Sequence, residues 1–214
     1  MIIYNHFFIS SILVCILFLF HYKINSNRIL YQILTYLLFI NFLSFNIYLV
    51  STGTFDYKIH LPIHLCYLTE LGILIAIIFK NTSYYPWLAL NSLGGGITGL
   101  TNSNLLPESM IIEYIHLYLS HFNLLLFFII IYKSKLKIST ANYYKSIGFN
   151  ALIFSAVYLI NIFLSSNYWF TRHKPPGSNL TNLVPDWPYY LLCLITIGFI
   201  SYYLTFNYLL KSKK

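Results

Sequence analysis

The stretch LPIHLCYLTE, residues 61–70, decides how the chain is read. It opens an apolar segment that runs on to Phe79, and it carries His64, Cys66 and Glu70 where hydrocarbon-compatible side chains are expected. Ionisable groups at membrane depth are costly, so they face a protein interior or a wet cavity. On a helix, Cys66, Thr69 and Glu70 recur at three- and four-residue spacing and share a face. A lone intramembrane cysteine is ordinarily a small apolar filler. Chemistry at Cys66 therefore requires other groups to converge on it.

The 214-residue chain is 58% hydrophobic and 8% charged, whereas soluble domains carry about 25% charged residues. Apolar runs of transmembrane length recur along it, which predicts an all-α polytopic membrane protein with a single membrane domain over residues 1–214. No basic region precedes the first run and no small-residue cleavage site follows it, so that run is expected to persist as a helix. Cys15, Cys66 and Cys193 lie in three separate apolar segments, with neither metal-ligand spacing nor a disulfide framework, and no metal or cofactor is expected. In such a protein a formal charge of +8 reports topology and contact with anionic lipid, and no nucleic-acid partner is expected.

Seven transmembrane helices are expected, over Ile2–Tyr22, Ile29–Val50, Leu61–Phe79, Tyr84–Leu100, Met110–Tyr132, Ile147–Leu164 and Pro188–Leu210. The fourth contains Gly94, Gly95, Gly96 and Gly99, which marks close helix packing or a break in the helix. With the N-terminus outside and the C-terminus inside, 10 of the 13 Lys and Arg residues fall on the inner side. Six crossings would weaken that bias. His60, His64 and Cys66 then lie at the outer end of the third span.

The fifth span, MIIEYIHLYLSHFNLLLFF over residues 110–128, places Glu113, His116, Ser120 and Asn123 on one broad stripe, with His121 on its flank. His116 is expected near the interface as a packing group. His121 lies about 7 Å deeper along the axis, where packing and chemistry are both open. A thiol beside an imidazole makes an acyl-transfer pair, with Glu113 or Glu70 as a third, orienting group. Spacing alone does not bring Cys66 and His121 together. Asn161 lies inside the sixth span and Asn167 comes just after it; Arg172 and Lys174 are either partners for a lipid phosphate or part of a solvated positive loop.

Four motifs carry a family resemblance: HLC at 64–66, the glycine-rich fourth span followed by TNSNLLPES, SH at 120–121, and NYWFTRHKPPGSNL with PDWPYYLL between Asn167 and Leu192. In this order and spacing the chain resembles the YwaF-type bacterial integral membrane proteins, related to eukaryotic transmembrane protein 164. The likeness covers about Leu61 to Leu192. The eukaryotic members are described as cysteine-dependent phospholipid acyltransferases, and the more distant androgen-induced gene 1 type as lipid hydrolases with a threonine nucleophile and a histidine. The resemblance implies a bundle of about seven helices, Cys66 as nucleophile and His121 as its base, with His116 as the alternative base.

The expected function is an intramembrane lipid acyltransferase or acyl hydrolase using Cys66 and His121 near the extracytoplasmic leaflet of a bacterial cell membrane. His64, Glu70, Glu113, His116, Asn161, Asn167, Arg172 and Lys174 are its expected supporting or substrate-binding residues, and a phospholipid or lysophospholipid its partner. A proton-coupled or small-solute transporter is the alternative, since intramembrane His and Glu also build proton relays. A non-catalytic scaffold packed through these polar groups is the third reading.

Overall fold

A computed structural model describes residues 2–177 and 179–212, with side chains from His6 onward. Seven α-helices succeed one another: α1 Ile2–Lys23, α2 Asn27–Ser51, α3 Leu65–Ile78, α4 Tyr85–Thr101, α5 Ile111–Lys133, α6 Thr140–Leu164 and α7 Tyr189–Leu204. Thr205–Leu210 continues α7 as a widened π-helical segment. Among the described residues there is no β-strand, only one isolated bridge between Ile138 and Lys211.

Local chemistry sets the helix boundaries. Ser26 caps α2 by accepting from the Ile29 amide, and Ser139 caps α6 by accepting from the Asn142 amide. Pro62 disfavours helix through the residues just before it, and α3 begins only at Leu65. The expected third span is thus corrected at its start: Leu61–His64 forms turns, and Cys66 lies in the first turn of its helix. The fourth span is one continuous 17-residue helix, so its glycines pack and do not break it. Five helices, α1, α2, α5, α6 and α7 with its extension, are long and apolar enough to cross a membrane. Helices α3 and α4, at 14 and 17 residues, are shorter.

Helix α5 is the axis of the bundle: 61% of its apolar window is buried, against 11% for α6. Apolar transfer does not drive helices together in lipid, so close packing and interhelical hydrogen bonds must. Two buried polar clusters do this. One joins α2, α3 and α5 around Glu70. The other joins α4, α6 and α7: the Asn150 amide donates to Asn91 and to the Tyr202 hydroxyl, Tyr202 donates to Asn91 at 2.7 Å, and Trp87 donates to Asn150 at 2.6 Å.

Loops α2–α3, α4–α5 and α6–α7 gather at one end, the knot end. Buried Asn161 organises it, donating to the Tyr168 carbonyl and the Thr171 hydroxyl while accepting from Ser166 and the Tyr168 amide. Trp169 and Phe170 both hold left-handed backbone, at φ of 57° and 53°, a conformation that costs non-glycine residues about 1 kcal/mol or more each. The Tyr168 hydroxyl meets this cost with long-range bonds, donating to the Tyr57 carbonyl and accepting from the Leu61 amide. Burial pushes that phenol up to about 12, so it keeps the proton it donates.

Replacing Asn161 by Ala leaves buried main-chain and hydroxyl groups without partners. We expect a loss of about 2–4 kcal/mol, read as a lower thermal midpoint in detergent together with faster proteolysis between residues 167 and 187. An unchanged midpoint and an intact loop would rule out this organising role.

Candidate functional site

Glu70 is fully buried in α3. Its carboxylate accepts from the Asn41 amide of α2 at 2.9 Å, and from the Ser120 hydroxyl and the Asn123 amide of α5 at 2.6 and 2.7 Å. No Lys or Arg pairs with it among the described residues, so neutral donors alone solvate it. The Asn41 carbonyl accepts from His116 Nδ1 at 3.1 Å. The His116 ring stacks on Phe45 with centroids 4.0 Å apart and meets the edge of Tyr67. The α5 stripe therefore does converge: Glu70, His116, Ser120 and Asn123 form one network, closed by Asn41.

Cys66 looks the other way. Its sulfur lies beside Gly95 of α4, where an added Cβ would stand 3.2 Å away. The ring of buried His121 packs against Gly99 so closely that a Cβ there would overlap it, and the His121 carbonyl borders Gly96. Gly95 and Gly99 are one turn apart on the same face of α4, about 6 Å along its axis. Thiol and imidazole thus flank one glycine surface, in adjacent turns. They make no hydrogen bond to each other. Cys66 is partly exposed.

Leu117 fixes the chemistry of His121. Its carbonyl lies 2.6 Å from His121 Nδ1. A carbonyl only accepts, so Nδ1 carries a hydrogen, and in the neutral ring Nε2 then holds the lone pair, the form required of a base. The expected orienting carboxylate is corrected here, because the position Glu113 or Glu70 would fill is taken by main chain. Glu113 instead accepts from the Met110 amide at 2.7 Å and lies 3.6 Å from His60. His116 is bound to Asn41, in the network facing α2, while His121 holds the α4 face that Cys66 also touches.

Cys66 is the second residue of α3. The Leu65, Cys66 and Tyr67 amides therefore have no intrahelical acceptor. A helix start favours negative charge and offers donors to an oxyanion. His64, the residue before α3, packs against Tyr168 and Phe170. Asn167 receives the Arg172 and His173 amides, and the Arg172 guanidinium donates to the Asn161 carbonyl. Lys174 lies 3.0 Å from Asp186 and donates to the Val184 carbonyl. With Trp187 and Tyr190, Arg172, Lys174 and Asp186 line a small cleft at the knot end.

Sequence reasoning missed Asn41 and Leu117; it marked Gly95 and Gly99 for close helix packing but not as the surface that Cys66 and His121 share. Asn41 is one of several polar residues in α2, with Thr35, Ser44 and Asn46, and nothing in the sequence singles it out among them. The Leu117 carbonyl has no sequence signal.

These features define a multi-pass helical membrane protein with a thiol and an imidazole on one small-residue face. Residues 1–206 match the TMEM164 family, and the chain belongs to it. Searches of curated proteins and of solved structures gave no match.

Gly99→Ala drives a methyl into the His121 ring. It should lower stability by about 1–3 kcal/mol, whereas Gly148→Ala, whose Cβ meets nothing within 4 Å, should not destabilise. Thermal midpoints of the two variants in one detergent compare them directly; equal midpoints would refute close α4–α5 packing at this level.

Proposed function

We propose that this protein is a lipid acyltransferase or acyl hydrolase that works through a Cys66 thioester, with His121 as base. Family membership supports a lipid-related role in the membrane. The observation that carries the chemistry is the Leu117 bond to His121 Nδ1, which makes Nε2 the basic nitrogen of the neutral ring, on the α4 face that Cys66 also touches.

In the proposed reaction, Nε2 takes the thiol proton as the sulfur attacks a phospholipid ester carbonyl. The main-chain amides of the first turn of α3 receive the developing oxyanion. The tetrahedral intermediate collapses by breaking the ester C–O bond, and the leaving alkoxide takes the proton from His121 to depart as lysophospholipid. A second hydroxyl, from a lysophospholipid or from water, then attacks the thioester with Nε2 again as base, and the thiol regains its proton. The acceptor decides between transfer and hydrolysis. The reaction needs the sulfur and Nε2 to close the turn that separates them.

Arg172 and Lys174, at the knot end, are suited to hold the phosphate of the headgroup. That role requires Lys174 to exchange Asp186 for lipid, a low-cost step because the pair is solvent-screened. Seven crossings with the N-terminus outside complete the reading, putting the knot end at the outer leaflet.

A proton-coupled carrier is the second reading, favoured by the uncharged surroundings of Glu70. The two readings differ in outcome. If the acyl-enzyme mechanism holds, Cys66→Ala and His121→Ala each reduce turnover of a fluorescent phospholipid by at least about 10³-fold. His116→Ala and Glu70→Gln retain measurable turnover, and an electrophilic thiol probe labels Cys66. Lipid turnover that survives both Cys66→Ala and His121→Ala, or flux into proteoliposomes abolished by Glu70→Gln alone, would reject the acyl-enzyme.

A further inference from the structure

The end of the bundle opposite the knot has a charge pattern that the proposed reaction does not use. The chain has five carboxylates: Asp56, Glu108, Glu113 and Asp186 belong to the knot end, and Glu70 is enclosed by its donors. None reaches the opposite end, where Lys23, Arg28, Lys80, Lys133, Lys135, Lys137, Lys145 and Lys211 occur. A surface with cations and no Asp or Glu beside them attracts anions.

Part of that surface is concave. A cavity of about 290 Å³ opens between the end of α1, the end of α5 and the C-terminal segment, lined by His21, Tyr132, Lys133, Lys135, Lys137 and Leu209. Its walls are tied in place. The Lys133 ammonium donates to the His21 and Ile24 carbonyls, clamping α1 to α5. The Ile138 amide donates to the Leu210 carbonyl and the Ser212 amide to the Ile138 carbonyl, which holds the C-terminal segment against the α5–α6 loop. Lys135 turns the chain in left-handed backbone at φ 55° and makes no side-chain hydrogen bond among the described residues. Lys137 reaches only the Leu209 carbonyl, at 3.4 Å. Two exposed ammoniums thus border a concavity with a leucine wall and a tyrosine edge, a combination that suits a charged group carried on an apolar body.

We infer that this cavity binds a phosphate group, through Lys135 and Lys137, with Lys133 and His21 as its fixed wall. The ligand is an anionic phospholipid headgroup or a soluble phosphate; both share this chemistry, and the leucines suit the lipid. The site is independent of Cys66 and of any acyl transfer.

The test uses the full-length protein in neutral detergent, with native mass spectrometry of bound phosphatidic acid, phosphatidylcholine and inorganic phosphate. Phosphatidic acid should be retained over phosphatidylcholine, and Lys135→Gln with Lys137→Gln should weaken its retention about tenfold or more. Arginine at both positions should restore it. Lys80→Gln with Lys145→Gln, which removes equal charge outside the cavity, should leave retention unchanged. Competition by millimolar inorganic phosphate, with no preference for the lipid, would make the occupant a soluble phosphate and keep the site. Equal losses in the two glutamine pairs would reduce the effect to a general surface field, and no loss in either would remove it; both results overturn the assignment. The arginine pair also controls for folding, since it keeps the charge while altering the same positions.

Discussion

Glu70 sets the geometry of the bundle. A buried carboxylate without a cation must be solvated by the protein, and only a particular rotation of α2, α3 and α5 brings Asn41, Ser120 and Asn123 to it together. That rotation has further effects. Ser120 and His121 are consecutive, so they point about 100° apart on α5. Once Ser120 faces Glu70, His121 is turned toward α4. On α3, Cys66 lies one turn before Glu70, slightly around the helix, and meets α4 where Glu70 meets α2 and α5. The two candidate catalytic groups thus owe their orientation to a network that contains neither of them.

The glycines of α4 make the second half of this arrangement possible. A side chain at position 99 would occupy the space that the imidazole now fills, and one at position 95 would crowd the sulfur. Small residues let helices approach in lipid; here they also leave a surface from which two reactive groups can be presented side by side. The α4 helix is held from behind by Asn91 and Trp87, through Asn150 and Tyr202. The glycine face is consequently backed by hydrogen bonds as well as by apolar packing.

Hydropathy made the seven helices legible, because apolar runs separated by more polar connections leave little other choice. The α5 stripe was legible for the same reason: Glu113, His116, Ser120 and Asn123 obey the helical period, and three of the four meet in the Glu70 network. Glu113 left that group because it caps the start of α5, a local bond that competes with any distant one. The start of α3 was harder to read. Leu61 and Ile63 are as apolar as the helix itself, and only Pro62 hinted that the helix had not begun. Which neighbour each face meets was not legible at all. Cys66 and Glu70 share a stripe in sequence yet serve different contacts, since a roughly 40° offset is enough to change the facing helix. The Leu117 carbonyl left no trace in the sequence because main-chain acceptors are the same at every residue.

The lengths of α3 and α4 have a consequence for the surrounding bilayer. At about 1.5 Å per residue, helices of 14 and 17 residues extend about 21 and 26 Å, less than the ~30 Å thickness of a typical hydrocarbon slab. With seven crossings, as proposed, lipid adjoining the partly exposed side of α3 would relieve this mismatch by thinning. The leaflet surface would then dimple toward the first turn of α3, bringing polar headgroups and their ester linkages nearer to the level of the cysteine than they would be beside a longer helix. For the proposed reaction, such a contour would spare the protein from extracting a lipid, because the membrane itself would be drawn in.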